Sequence, residues 1–172
     1  MPDKTLILGL GNTLLRDEGL GVHLVERLRE QHQFPEEVQI VDGGTLGLDL
    51  LPYLAGVGRL LVVDAVVFDA EPGGLIRLEG DAIPYQSALK VSPHQAGLQD
   101  VLAMARLQGC LPPTVVVWGM QPASFHEWGM TLTGVVEARL ADLMDAVLAE
   151  LKKWGINPYA NPPLSSPEGG RG

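Results

Sequence analysis

Leu6-Ile7-Leu8-Gly9-Leu10-Gly11-Asn12-Thr13-Leu14-Leu15-Arg16-Asp17-Glu18-Gly19-Leu20-Gly21 opens the chain with an apolar run that ends in two closely spaced glycines. Lys4 to Leu10 has the pattern of a short buried strand, stopped by glycine. A loop follows and delivers two adjacent carboxylates, Asp17 and Glu18, to the threshold of a helix. From Leu20 to His32, Leu20, Leu24, Val25 and Leu28 fall on one face and Glu26, Arg27, Arg29 and Glu30 on the other, the signature of an amphipathic helix. Strand, glycine turn and helix together predict an α/β protein.

Working outward, the same alternation continues. Val38 to Val41 reads as a second strand ending in Asp42-Gly43-Gly44-Thr45. Leu46 to Leu54 reads as a short helix strained by Pro52. Arg59 to Val67 is the most hydrophobic strand of the chain and carries Asp64 near its far end. After the turn Glu71-Pro72-Gly73-Gly74, Leu75 to Leu78 is expected to pair beside that third strand. Ser92-Pro93-His94-Gln95 is a helix start, with Ser92 as cap, Pro93 preset for the first helical position and Gln95 completing a capping box. That helix runs to about Leu107, Val115 to Trp118 is the last strand, and a final helix spans Thr133 to Trp154. The expectation is a single three-layer α/β/α domain over residues 1–155, a mostly parallel twisted sheet of about five strands with helices on both faces. Residues 156–172 form a tail that from Asn157 is rich in Pro, Ser and Gly, a composition that predicts disorder.

Composition narrows the function. The chain has 172 residues, 46% of them hydrophobic, enough for one substantial core. A net charge of −9 argues against nucleic acid and anionic membranes as partners and is compatible with a basic one. The single cysteine, Cys110, fits a reducing compartment. No stretch suits membrane insertion, and the N-terminus enters a strand pattern directly, so a cytoplasmic location is expected.

Two chemistries compete for the opening stretch. Gly9-Leu10-Gly11 before a helix, with Asp42 ending the second strand, suggests a nucleotide-binding oxidoreductase. Against it, the third glycine of that fingerprint would fall at position 14, which is leucine. Asp17 and Glu18 also stand where a pyrophosphate would need positive potential. The alternative starts from the rule that ligands collect beyond the carboxyl ends of parallel strands. If the first and third strands are neighbours, Glu18 and Asp64 converge, and His94 joins them if its helix begins on the same edge. Two carboxylates and an imidazole are a donor set for a divalent transition metal. The helix N-terminus also keeps His94 neutral for ligation. Taken singly, each residue has an ordinary structural reading: a first-turn acid, a strand-end cap, an exposed helix start. His23 lies in the first helix, facing core or solvent, and His32 near a helix end is expected to be solvated. His126 is in a loop that could border the same edge but has no partner by spacing, and Cys110 lacks a detectable base. Neither a nucleophile-elbow serine nor a His-Glu-x-x-His pair is present.

The motifs Gly9-Leu10-Gly11-Asn12, Asp17 to Gly21, Asp42 to Thr45, Val63-Asp64-Ala65 and Ser92 to Gln95 together resemble the hydrogenase maturation endopeptidases, in the right order from Lys4 to about Leu151. Ser92 to Leu98 looks most like the branch serving membrane-bound uptake hydrogenases. The resemblance implies an endopeptidase that removes a C-terminal extension from the large-subunit precursor of a nickel–iron hydrogenase after nickel insertion. It places the family's metal-contacting residues on Glu18, Asp64 and His94, and its substrate-discriminating segment on Asp42, Gly43, Gly44 and Thr45, where glycines let a peptide backbone approach. The nickel would come with the precursor, no organic cofactor being implied, although a catalytic metal of the enzyme's own is a rival within the same function. A metal there can polarise a carbonyl or activate water, with Asp17 or Glu18 handling protons. A non-catalytic nickel- or precursor-binding maturation factor is the remaining alternative.

Overall fold

A period-two alternation of buried side chains builds the centre of the molecule. In this computed structural model, which describes residues 4–83 and 96–160, strand β1 spans Lys4–Leu10 and helix α1 Leu20–Gln31. The short strand β2 (His32–Gln33) precedes β3 (Val38–Gly44), β4 (Val57–Ala65) and β5 (Leu75–Glu79). Helix α2 (Ala96–Gln108), strand β6 (Thr114–Met120), helix α3 (Gly134–Lys153) and strand β7 (Tyr159–Ala160) complete the described chain. Leu6, Leu8, Leu60, Val62, Val115 and Val117 face one side of the sheet, while Ile7, Leu61, Val63 and Val116 face the other. Each fully buried aliphatic side chain of this kind contributes roughly 1.5–3 kcal/mol.

The five-stranded sheet has the order β3-β1-β4-β6-β5. β1 pairs in parallel with both β3 and β4, and β4 in parallel with β6. Helices α1 and α3 cover one face; α2 and the 3-10 segment Gly47–Leu54 cover the other. The expected three-layer architecture is therefore present. Pro52 sits inside that 3-10 segment, which explains why Leu46 to Leu54 forms no α-helix.

Two expectations need correction. β5 does not lie beside β4: it runs antiparallel to β6 at the sheet edge, Leu75 opposite Met120 and Glu79 opposite Val116. The place next to β4 is taken by β6 in unbroken register from Arg59–Thr114 to Ala65–Met120. The tail also begins later than its composition suggests. Ile156 is buried in the core, and Tyr159–Ala160 pair with His32–Gln33. Residues 161–172 lie outside the described residues.

The start of α1 is pressed onto the carboxyl ends of β1 and β4. A methyl group added at Gly21 would collide with the backbone carbonyl of Val63 and stand 2.6 Å from that of Leu10. Neither obstacle is a side chain that can rotate away. Gly21→Ala is expected to lower stability by more than about 3 kcal/mol, in the range of severe overpacking. Urea denaturation checks this; a variant as stable as wild type contradicts the packing.

Candidate functional site at the carboxyl edge of the sheet

The neighbour relation on which the site depends is present, with Gly9 opposite Val63 in the β1–β4 ladder. Loops leaving β1, β3, β4 and β6 therefore emerge on one edge. The loop after β1 tightens into a 3-10 turn, Arg16–Gly19, that carries both carboxylates. Gly11 has φ +125°, and a side chain there would strike the carbonyl of Glu18. The glycine pair is filled by the chain's own loop, which leaves no cradle for a pyrophosphate. That removes the structural basis of the nucleotide reading.

Glu18 is 1% exposed and Asp64 7%. Asp64 accepts a hydrogen bond at Oδ1 from the Ala65 N–H at 2.8 Å. Burial pushes the Asp64 carboxyl up to about 8, against the lowering effect of the Ala65 bond, and the nearby charge of Glu18 pushes it the same way. Two buried acids whose charges act on each other form a site that favours a cation or a shared proton. Among the described residues no third His, Cys, Asp or Glu completes a metal-binding group with them. His94 and the Ser92–Gln95 cap lie outside the described residues. Helix α2 ends shortly before β6 begins, so its first turn lies toward the carboxyl edge.

Asp17, the other carboxylate suggested for proton handling, is engaged by the fold. Its buried carboxylate accepts four hydrogen bonds: Oδ2 from the N–H of Ala123 and of Ser124, each at 2.9 Å, and from Thr133 Oγ1 at 2.7 Å, and Oδ1 from the Thr133 N–H at 2.8 Å. Thr133 is the residue that caps α3. Asp17 thus anchors the Glu18 turn to the loop after β6 and to a helix N-terminus, where negative charge is favoured. A further strip of backbone closes the same seam, with Arg16 N–H to Gly129 O at 2.9 Å and Gly129 N–H to Leu14 O at 2.8 Å.

Asp42 to Thr45 reach the same edge. A bulge between Gly9 and Leu10 shifts the β1–β3 register, and the Gly11 N–H donates to Gly44 O at 3.0 Å. Asp42 and Thr45 are exposed, while Gly43 is packed under Leu8 and Leu10. One residue escaped sequence reasoning: Gln121, buried just beyond β6, accepts the Phe68 N–H at 2.9 Å and ties the loop after β4 to the loop after β6. Nothing in its local sequence distinguishes it. His126 is exposed on the latter loop against the Phe125 ring, whereas Cys110 is half-buried at the opposite end of the sheet, beside the start of β6. A hollow of about 480 Å³ lined by Lys4, Glu36, Tyr53 and Val57 also opens at that opposite edge, away from the carboxylates.

The fold and the carboxylate pair define an α/β protein with two buried acids at the strand ends. A hydrogenase maturation protease family model matches residues 22–150. HupD of Rhodobacter capsulatus, a hydrogenase expression/formation protein, is 42% identical over 156 residues, 90% of this chain and 74% of that protein. The hydrogenase 2 maturation protease of Escherichia coli K12 is 39% identical over 154 residues, 89% and 93% of the two chains. The solved structure of the E. coli hydrogenase maturating endopeptidase HybD superposes with a TM-score of 0.86 at 37% identity, covering 92% of this chain and 98% of that one. The chain belongs to the hydrogenase maturation protease family and is a peptidase. No helix of the described residues is long and apolar enough to cross a membrane.

The raised Asp64 carboxyl has a measurable consequence in metal-free protein. Its ordinary value is 3.8 and its folded value about 8, so in between the folded state holds a proton that the unfolded chain has released. This contribution is complete below the unfolded value and is lost as pH rises to the folded one, at up to about 1.4 kcal/mol per pH unit. Urea denaturation at pH 6, 7 and 8 is expected to give a falling series for wild type and a shallower one for Asp64→Asn. Equal slopes contradict the assignment.

Proposed function

We propose that this peptidase removes the C-terminal extension of a nickel–iron hydrogenase large-subunit precursor once nickel has been inserted, with Glu18, Asp64 and His94 engaging the nickel that the precursor carries. The observation that carries the reading is the buried Glu18–Asp64 pair at the strand carboxyl ends, in a chain of this family. Oxygen donors held out of water, one of them with its proton retained to about pH 8, favour an arriving cation that releases the proton and replaces it. His94 supplies the nitrogen donor. Nickel contact registers the precursor so that the scissile peptide lies over Asp42 to Thr45, and Glu18 is the carboxylate left to handle protons. The metal is cargo of the substrate. The uptake-hydrogenase branch is favoured by Ser92 to Leu98, and a cytoplasmic setting by the single cysteine.

Mass spectrometry of the large subunit tests this directly. Metal-stripped enzyme is expected to shorten nickel-loaded precursor and leave nickel-free precursor intact, and His94→Ala to abolish processing with an unchanged melting temperature. Equal cleavage of both precursors sinks the nickel-recognition step. A stable complex with no loss of mass identifies a non-catalytic maturation factor instead.

A further inference from the structure

The loops at the carboxyl edge expose more than acids. Leu14, Leu46, Leu48, Trp128 and Met130 are 47%, 45%, 50%, 78% and 69% exposed, and all five stand on the loops after β1, β3 and β6. Single exposed apolar residues are ordinary; a concentration of them on one edge is not. Three are held together by backbone. Leu15 and Gly129 form an isolated parallel bridge, with Leu14 on one flank and Trp128 and Met130 on the other. The Arg16 side chain adds a bond from Nε to Thr131 O at 3.2 Å. A tryptophan and a methionine displayed on backbone already fixed can be covered by a partner without the cost of ordering that backbone.

The charged side chains of the described loops around them are mostly acidic, with Arg139 of α3 reaching Gly73 at one margin. The described loops 11–19, 42–49, 64–74 and 121–133 expose Asp42, Asp49, Asp69, Glu71 and Glu127. Their one Lys or Arg is Arg16, and it lies 3.6 Å from Glu127. Leu14 belongs to the same loop as Glu18, and the Asp17 anchor joins that loop to the one bearing Trp128 and Met130, so this part of the patch adjoins the turn that carries Glu18.

We propose that this acid-rimmed apolar edge is the docking surface for the precursor polypeptide, gripping a segment whose apolar side chains are flanked by lysine or arginine, and that it does so whether or not nickel is present. The proposal rests on the processing function above and adds the chemistry of the grip. Trp128 and Met130 supply the water-excluding centre that sets the lifetime of the complex, while the acidic rim speeds encounter and selects charge.

Calorimetric titration of nickel-free precursor into the full-length enzyme tests it, since that precursor is left uncut. The double variant Trp128→Ala/Met130→Ala is expected to bind about tenfold or more weakly than wild type. Raising sodium chloride from about 50 to about 300 mM is expected to weaken wild-type binding. Both side chains face solvent, so an unchanged melting temperature verifies the fold. Leu107→Ala, which removes an equally exposed side chain from the last turn of α2, is expected to bind as wild type does. Binding by the double variant within about twofold of wild type overturns the proposal, as does an equal loss in Leu107→Ala. Undetectable binding of nickel-free precursor to wild type overturns it too, because nickel would then be the sole handle. Wild-type enzyme that binds with this pattern yet leaves nickel-loaded precursor uncut refutes the processing function and leaves the docking surface standing.

Discussion

Four hydrogen bonds to the buried carboxylate of Asp17 hold the functional edge together. They join the turn carrying Glu18 to the loop after β6 and to Thr133, the N-cap of α3. A buried carboxylate is costly unless it is fully hydrogen-bonded, and here every donor comes from a segment more than a hundred residues away. The cost of leaving the group unsatisfied makes the geometry close to all-or-none. Glu18, one residue on, inherits that rigidity, and so do Leu14 and the Trp128–Met130 strip across the seam. Preorganised groups of this kind need no rearrangement when a ligand arrives.

The buried carboxylates Asp17 and Asp64 differ because their surroundings differ. Asp17 is surrounded by donors and ties three segments of the fold together. Asp64 accepts the Ala65 N–H, but burial and the charge of Glu18 outweigh that bond and hold its proton until about pH 8. Moving a metal dication into such a site substitutes for hydration that burial has removed. The sheet supplies this contrast by construction: four loops meet where parallel strands end, and each contributes a group from a different part of the chain. The same meeting of loops brings acid and apolar surface to one edge, whereas α1 and α3 bury their apolar faces against the sheet.

Much of this was legible in the residues. Leu6 to Leu10 and Leu60 to Val63 announce buried strands, and Glu18 meets Asp64 on the condition that these strands are neighbours, which the β1–β4 ladder meets. The meaning of Gly9 and Gly11 was not legible: their spacing matches a phosphate turn, and only the tertiary contacts reveal that the loop itself fills the space. The role of Asp17 was hidden for a related reason. A first-turn acid looks the same whether its partners are water, a substrate or three distant backbone amides. β5 misled because hairpin-like spacing favours pairing with β4, a place already held by β6 through long-range register. Asn157 to Ala160 look like linker by composition, but Ile156 is buried at their start and β2 offers a strand to pair with.

Nickel K-edge absorption of loaded precursor, alone and bound to the enzyme, tests the central claim most directly. Wild-type enzyme is expected to add oxygen or nitrogen neighbours around the nickel. The Glu18→Gln/Asp64→Asn variant, although it still forms the complex, is expected to leave the spectrum as it is in free precursor. A spectrum unchanged by wild-type enzyme in a complex that goes on to cleave would contradict the claim.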